Sequence, residues 1–194
     1  AIILLFVLKV INGQKLRKYS KAFFTKGLIE KKSEEKSTLF NLFDSILFLF
    51  TTITFAILLF FILKHYLPEF IFSFNSFIQI YFGVFIYILA FYILEYLLTF
   101  LFEINIQISG FITAKLVYLY NSALWLFPFL ILFSYGFDNI YILLSTFTIL
   151  FSLSVSLVLI NNKNLIVNKL FYFILYICAL KIAPLLIIYK ITVK

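Results

Sequence analysis

Five long stretches with no charge or a single charge, 45–63, 77–102, 116–135, 140–160 and 170–189, fill most of the 194 residues and decide what this chain can fold into. Crossing about 30 Å of hydrocarbon takes roughly 20 apolar residues in a helix. Stretches 45–63, 116–135 and 140–160 carry no charged residue, 77–102 carries only Glu95, and 170–189 only Lys181. Residues 1–11 have the composition of half a sixth span. Inside hydrocarbon the backbone must satisfy its own hydrogen bonds, and segments of this length do so as helices. The sequence therefore specifies an all-α polytopic transmembrane bundle. Five full spans and a partial first one are expected in a single domain, 1–194, with a basic amphipathic cytoplasmic loop over 12–44.

Composition excludes a water-soluble globule. Hydrophobic residues make up 64% and charged residues 12%, against roughly 25% charged in a soluble domain. The chain contains no Met, so Ala1 is expected not to be the initiating residue. Residues 1–10 lack a basic start and a small-residue cleavage pattern, and so do not read as a signal peptide. With 28 Phe, abundant Ile and Asn, and Lys almost to the exclusion of Arg, the chain carries the stamp of an AT-rich genome. Its phenylalanines read as apolar bulk facing lipid or neighbouring helices. Cys178 and His65 are each alone, so neither an intramolecular disulfide nor a Cys/His metal cluster can be assembled. No metal and no cofactor is expected.

The net charge of +8 is concentrated early: Lys15, Arg17, Lys18, Lys21, Lys26, Lys31, Lys32 and Lys36 all fall within 12–44. By the positive-inside rule this loop is cytoplasmic. Alternation then puts 64–69 outside, 103–115 inside, 137–139 outside and 161–169 inside, with Lys190 and Lys194 of the tail against the trend. Leu16, Tyr19, Phe23 and Leu28 recur at near-helical spacing, with Lys15, Arg17, Lys18, Lys21 and Lys26 between them. Such a segment suits the membrane surface, its cations at anionic lipid headgroups; an ordinary solvated connector is the other reading. Orientation and lipid account for the basic residues, and no nucleic-acid partner is expected.

Pro68 closes the span 45–63, and 70–76 reads as a short interfacial or re-entrant piece. In 103–114, Asn105, Gln107 and Ser109 alternate with Ile104, Ile106 and Ile108; a lone strand cannot survive in lipid, so a cytoplasmic connector is expected there. Pro128 and Pro184 are expected to kink their helices. Ser145, Thr148, Ser152 and Ser156 share one helical face, which reads as a helix-packing stripe, the alternative being a polar permeation path. Glu95 and Lys181 are the two ionisable residues within spans. Charge at that depth needs a partner, a cavity or water. An ion pair between them is the leading reading, beside separate burial and an ion relay.

Motifs for nucleotide binding, metalloproteolysis and serine hydrolysis are missing. Asp44 and Asp138 are expected on opposite sides of the membrane, and His65 with Glu69 marks an ordinary outer boundary. No enzymatic activity is expected.

The run Leu175-Tyr176-Ile177-Cys178-Ala179-Leu180-Lys181-Ile182-Ala183-Pro184-Leu185-Leu186, the segment Ala22-Phe23-Phe24, the pair Glu34-Glu35 and the stretch Leu-Trp-Leu-Phe-Pro-Phe at 124–129 are informative together. Over most of its length the chain resembles a Bacteroidota family of small polytopic inner-membrane proteins catalogued as a domain of unknown function. That family commonly carries an acidic residue where this chain has Lys181. The resemblance implies a bacterial inner membrane and an envelope-associated role, and supplies no catalytic residue. The expected function is a non-enzymatic subunit of a larger inner-membrane assembly, with other integral membrane proteins and the bilayer as partners. The alternative is a small transporter or channel using Glu95 and Lys181. A lipid-handling role is a third reading.

Overall fold

The computed structural model describes residues 1–24, 41–67, 73–101, 105–136 and 139–161. All the regular structure among them is helical: α1 (Ile2–Ser20), α2 (Leu42–Tyr66), α3 (Phe74–Leu101), α4 (Asn105–Tyr135) and α5 (Ile140–Asn161). The chain divides into two compact units, Ala1–Val158 and Leu159–Lys194; of the second, only the last turn of α5 is described. Four segments are long and apolar enough to cross a membrane: Leu42–Tyr66, Phe74–Leu94, Ala114–Tyr135 and Ile140–Asn161. They coincide with four of the five full spans expected from the sequence. The fifth, 170–189, lies outside the described residues, as do Lys181, Lys26 and residues 25–40 of the basic loop.

Two boundaries differ from the sequence reading. Helical structure does not stop with the apolar segment 1–11: after a break it resumes in the basic stretch, expected as a loop, and runs as far as Ser20. It breaks at Asn12, whose backbone is non-helical (φ −157°, ψ 83°). The Asn12 Oδ1 accepts a hydrogen bond of 2.9 Å from the Lys15 backbone N–H, so Asn12 is the N-cap of a second helical piece. A short polar side chain followed by Gly13 is what lets one apolar helix end and a basic one begin there. The other difference is at 105–114, where the expected connector is the beginning of α4. The Ile/polar alternation there has a period of two, but once the chain belongs to a long helix its backbone bonds are met internally.

Ring contacts set the directions of the helices. Tyr19 meets both Phe43 and Tyr120, Phe50 meets Phe127, and Phe61 meets Phe133. Helices α2 and α4 therefore run the same way. Phe48 meets Phe85 and Phe60 meets Phe77, so α3 runs antiparallel to α2. Leu126 and Leu130 cluster with Ile140 and Leu143, and Tyr118 clusters with Val158, which makes α5 antiparallel to α4. The largest cluster joins Leu8 and Tyr19 of α1, Leu47 and Phe50 of α2, and Val117, Ala123 and Phe127 of α4. Where lipid tails are as apolar as leucine, such contacts stabilise through packing instead of water release.

The hydroxyls on α2 do not disturb this core. Thr51, Thr52 and Thr54 are fully buried, and their Oγ1 atoms donate to the carbonyls of Leu47, Leu49 and Phe50 at 2.8, 2.9 and 2.8 Å. Each hydroxyl is thus satisfied within its own helix. Pro128 sits inside α4, and α4 ends at Tyr135, just before Gly136, where a Cβ would come within 3.1 Å of the Leu132 carbonyl.

Candidate functional site

Polar side chains converge at the end of the bundle where α1 finishes and α2 begins. Asp44 stands in the first turn of α2, where the exposed N–H groups of a helix favour a carboxylate. Its Oδ2 lies 3.2 Å from Lys15 Nζ, and its Oδ1 accepts a 3.0 Å hydrogen bond from the Tyr19 hydroxyl. Lys15 and Tyr19 are one turn apart on the basic piece of α1, so a single carboxylate holds two successive turns. The Lys15 ammonium also lies 4.9 Å from the centre of the Phe43 ring, within cation–π range. The Lys15 and Asp44 side chains retain 27% and 18% of their accessible surface. At that partial burial the interaction outweighs an exposed pair without the full cost of removing both charges from water.

A second set of contacts comes from α4. The last carbonyls of a helix have no partner within it. Asn121 Nδ2 donates to the Tyr19 carbonyl at 2.7 Å, and the Trp125 indole N–H donates to the Ser20 carbonyl at 3.1 Å. Phe23 stacks on Tyr118, with ring centroids 6.2 Å apart. Asn121 is fully buried, and among the described residues its Oδ1 has no hydrogen-bond partner, a cost of about 1–3 kcal/mol.

The electrostatics suit holding over proton transfer. Burial foremost, and then the neighbouring Asp44 carboxylate, push the Tyr19 phenol well above its ordinary range. Tyr19 therefore keeps its proton throughout the physiological range and serves as a fixed donor. Lys15, Tyr19 and Asp44 with Asn121 and Trp125 form a clamp that fastens the end of α1 across α2 and α4. Among the described residues, no three of His, Cys, Asp and Glu lie close enough to share a metal ion.

The residues singled out from the sequence divide as follows. Of the five cations expected at lipid headgroups, Lys15 is turned into the clamp, Arg17, Lys18 and Lys21 are exposed, and Lys26 lies outside the described residues. The apolar side of the same segment packs on the bundle: Tyr19 and Ala22 are buried and Leu16 joins the main cluster. Ser145, Thr148, Ser152 and Ser156 share one face of α5 and are all exposed. Ser145 Oγ returns its bond to the Ile142 carbonyl, and Thr148 Oγ1 to the carbonyls of Leu144 and Ser145. The face of α5 turned inward carries Ile140, Leu143, Ser154 and Val158. Glu95 falls on α3, with its side chain outside what is described, so its relation to Lys181 does too. Asp44, Asn121 and Trp125 were not legible as one site. The available signal was an isolated carboxylate opening an apolar helix that follows a lysine-rich segment.

Four helices of this length and apolarity define a polytopic helical membrane protein. The chain belongs to the family described as Domain of unknown function (DUF4271), which it matches over residues 1–192. No curated protein and no solved structure matches it.

Proposed function

We propose that this chain is a non-enzymatic subunit or accessory protein of a larger envelope assembly in a bacterial inner membrane, such as one serving protein export. The resemblance to Bacteroidota inner-membrane proteins supports the location. The observation that carries the reading is the outward stripe Ser145/Thr148/Ser152/Ser156 on α5. Small hydroxyl residues let a second helix approach closely in lipid and hydrogen-bond across the contact. The inside of the bundle supports the same reading, because Phe50 and Phe127 meet edge to face in its centre and the α2 threonines are bonded to their own helix.

Extraction in mild detergent followed by native mass measurement tests the proposal. A complex well above the 22.8 kDa of the chain is expected, and substituting Ser145 and Ser152 by Leu should release the chain from it. A solitary monomer that moves solute in reconstituted vesicles would overturn the proposal in favour of a transporter using Glu95 and Lys181.

A further inference from the structure

We infer that the outward face of α3 is where two copies of this chain pair, side by side and in the same orientation, along Gln79, Gly83, Ile86, Ala90, Ile93 and Leu97. The other side of α3 is engaged within the chain: Phe77 and Phe85 meet Phe60 and Phe48 of α2, and Val84 is buried. Gln79, Gly83, Ile86, Ala90, Ile93 and Leu97 are all exposed. They follow one another at steps of four, three, four, three and four. That alternation keeps a seam of side chains turned toward a second helix crossing at a small angle.

Two features separate this seam from a face built to meet lipid tails. Gln79 lies within Phe74–Leu94, a segment long and apolar enough to span, and among the described residues its amide has no hydrogen-bond partner. A primary amide turned toward hydrocarbon lacks the water that would satisfy its two donors and its acceptor. One turn on, a Cβ at Gly83 would meet nothing within 4 Å among the described residues, so packing inside the chain does not call for a glycine there. With Ala90 further along, it leaves the surface low enough for another backbone to come close. The occupant follows from depth. Every copy is inserted the same way round, so a second α3 runs parallel and carries its own Gln79 at the same level. About a twofold axis along the bilayer normal, like residues meet. An amide both donates and accepts, so two of them satisfy each other, which two ammonium groups or two carboxylates could not. This surface is separate from the stripe on α5, and the inference does not rest on that stripe.

The purified full chain, with Cys178 replaced by Ser, is reconstituted into phospholipid bilayers carrying either Ile86→Cys or Val84→Cys, and oxidised. Ile86→Cys is expected to give a covalent dimer of twice the 22.8 kDa chain mass, and Val84→Cys, turned inward, none. Adding Gly83→Leu should abolish the cross-link at 86 while the chain still folds, because the added side chain meets nothing inside it. Energy transfer between donor- and acceptor-labelled copies, followed as the lipid-to-protein ratio is raised, measures the association itself. Gln79→Leu should weaken it about fivefold, which corresponds to the ~1 kcal/mol of an interhelical hydrogen bond in a membrane. The variant S145L/S152L should leave it unchanged, which distinguishes this surface from the one on α5. A chain that stays monomeric overturns the inference, as would follow if lipid or another segment of the same chain covered this face. A dimer that persists unchanged in Gly83→Leu or Gln79→Leu, or that is lost in S145L/S152L, overturns it as well.

Discussion

Asp44 carries more of the architecture than any other charged side chain described, because one carboxylate receives both Lys15 and Tyr19. Replacing it with Asn keeps the shape and removes the charge, and should cost about 1.5–3 kcal/mol, the range for hydrogen bonds to a charged group. Tyr19→Phe removes one of the two donors. In a double-mutant cycle followed by chemical denaturation in micelles, the two substitutions should cost less together than the sum of each alone; strict additivity would mean that the hydrogen bond contributes nothing. The phenol also sets a pH dependence. Its pKa is raised by burial first and by Asp44 second, so the folded state holds the proton more tightly than the unfolded chain. The associated stability is complete below about pH 10, the ordinary value for tyrosine, and declines as pH rises beyond it. The alkaline fall in stability should therefore be shallower in Tyr19→Phe. At the other end of the clamp, Asn121→Leu would remove the orphaned Oδ1 and also the donor to Tyr19.

Among the helices, the parallel course of α2 and α4 is the relationship with the clearest experimental signature. Phe61 and Phe133 have ring centroids 5.2 Å apart. Cysteines at both positions, with Cys178 replaced by Ser, should form an intramolecular cross-link on oxidation, whereas cysteines at 50 and 133 should not. The break in α1 gives a second outcome at this scale. Asn12→Ala removes the cap on the Lys15 N–H and should destabilise the docked piece by about 1 kcal/mol, while Asn12→Asp retains it; the denaturation midpoint of each variant measures the difference. The four described spans were legible because hydrocarbon thickness imposes a length, and the length can be counted. The clamp was not. Lys15 and Asp44 are separated by 29 positions and Tyr19 and Asn121 by 102, and no periodicity relates residues on different helices. Tyr19 could be assigned to the apolar side of its segment, but that side was expected to lie on the membrane surface, whereas it packs on the bundle. The stripe on α5 was legible as a face and not as a contact, since helical spacing tells which residues align and not what they meet.

For the whole molecule, orientation is the property most open to test. The C-terminal end of α1, with Lys15, Arg17 and Lys18, lies beside the start of α2, and Tyr135 closes α4 at the opposite end, 89% exposed. In a background free of Cys178, a cysteine at 135 should react in intact cells with a reagent that cannot cross the membrane. A cysteine at 18 should react only after permeabilisation, and the reverse pattern would invert the topology. The same arrangement dictates a sequence of events during synthesis. Tyr19 cannot find Asn121 until about a hundred further residues have been made, which at roughly 5–20 residues per second occupies about 5–20 s. Throughout that interval the Ser20 carbonyl lacks its Trp125 donor and the Tyr19 carbonyl has only the Ala22 backbone N–H, and α3 must be made before α4 can settle beside α2. The docking of the first helix is thus completed only by the fourth, so the early part of the chain waits on the late part for its final hold.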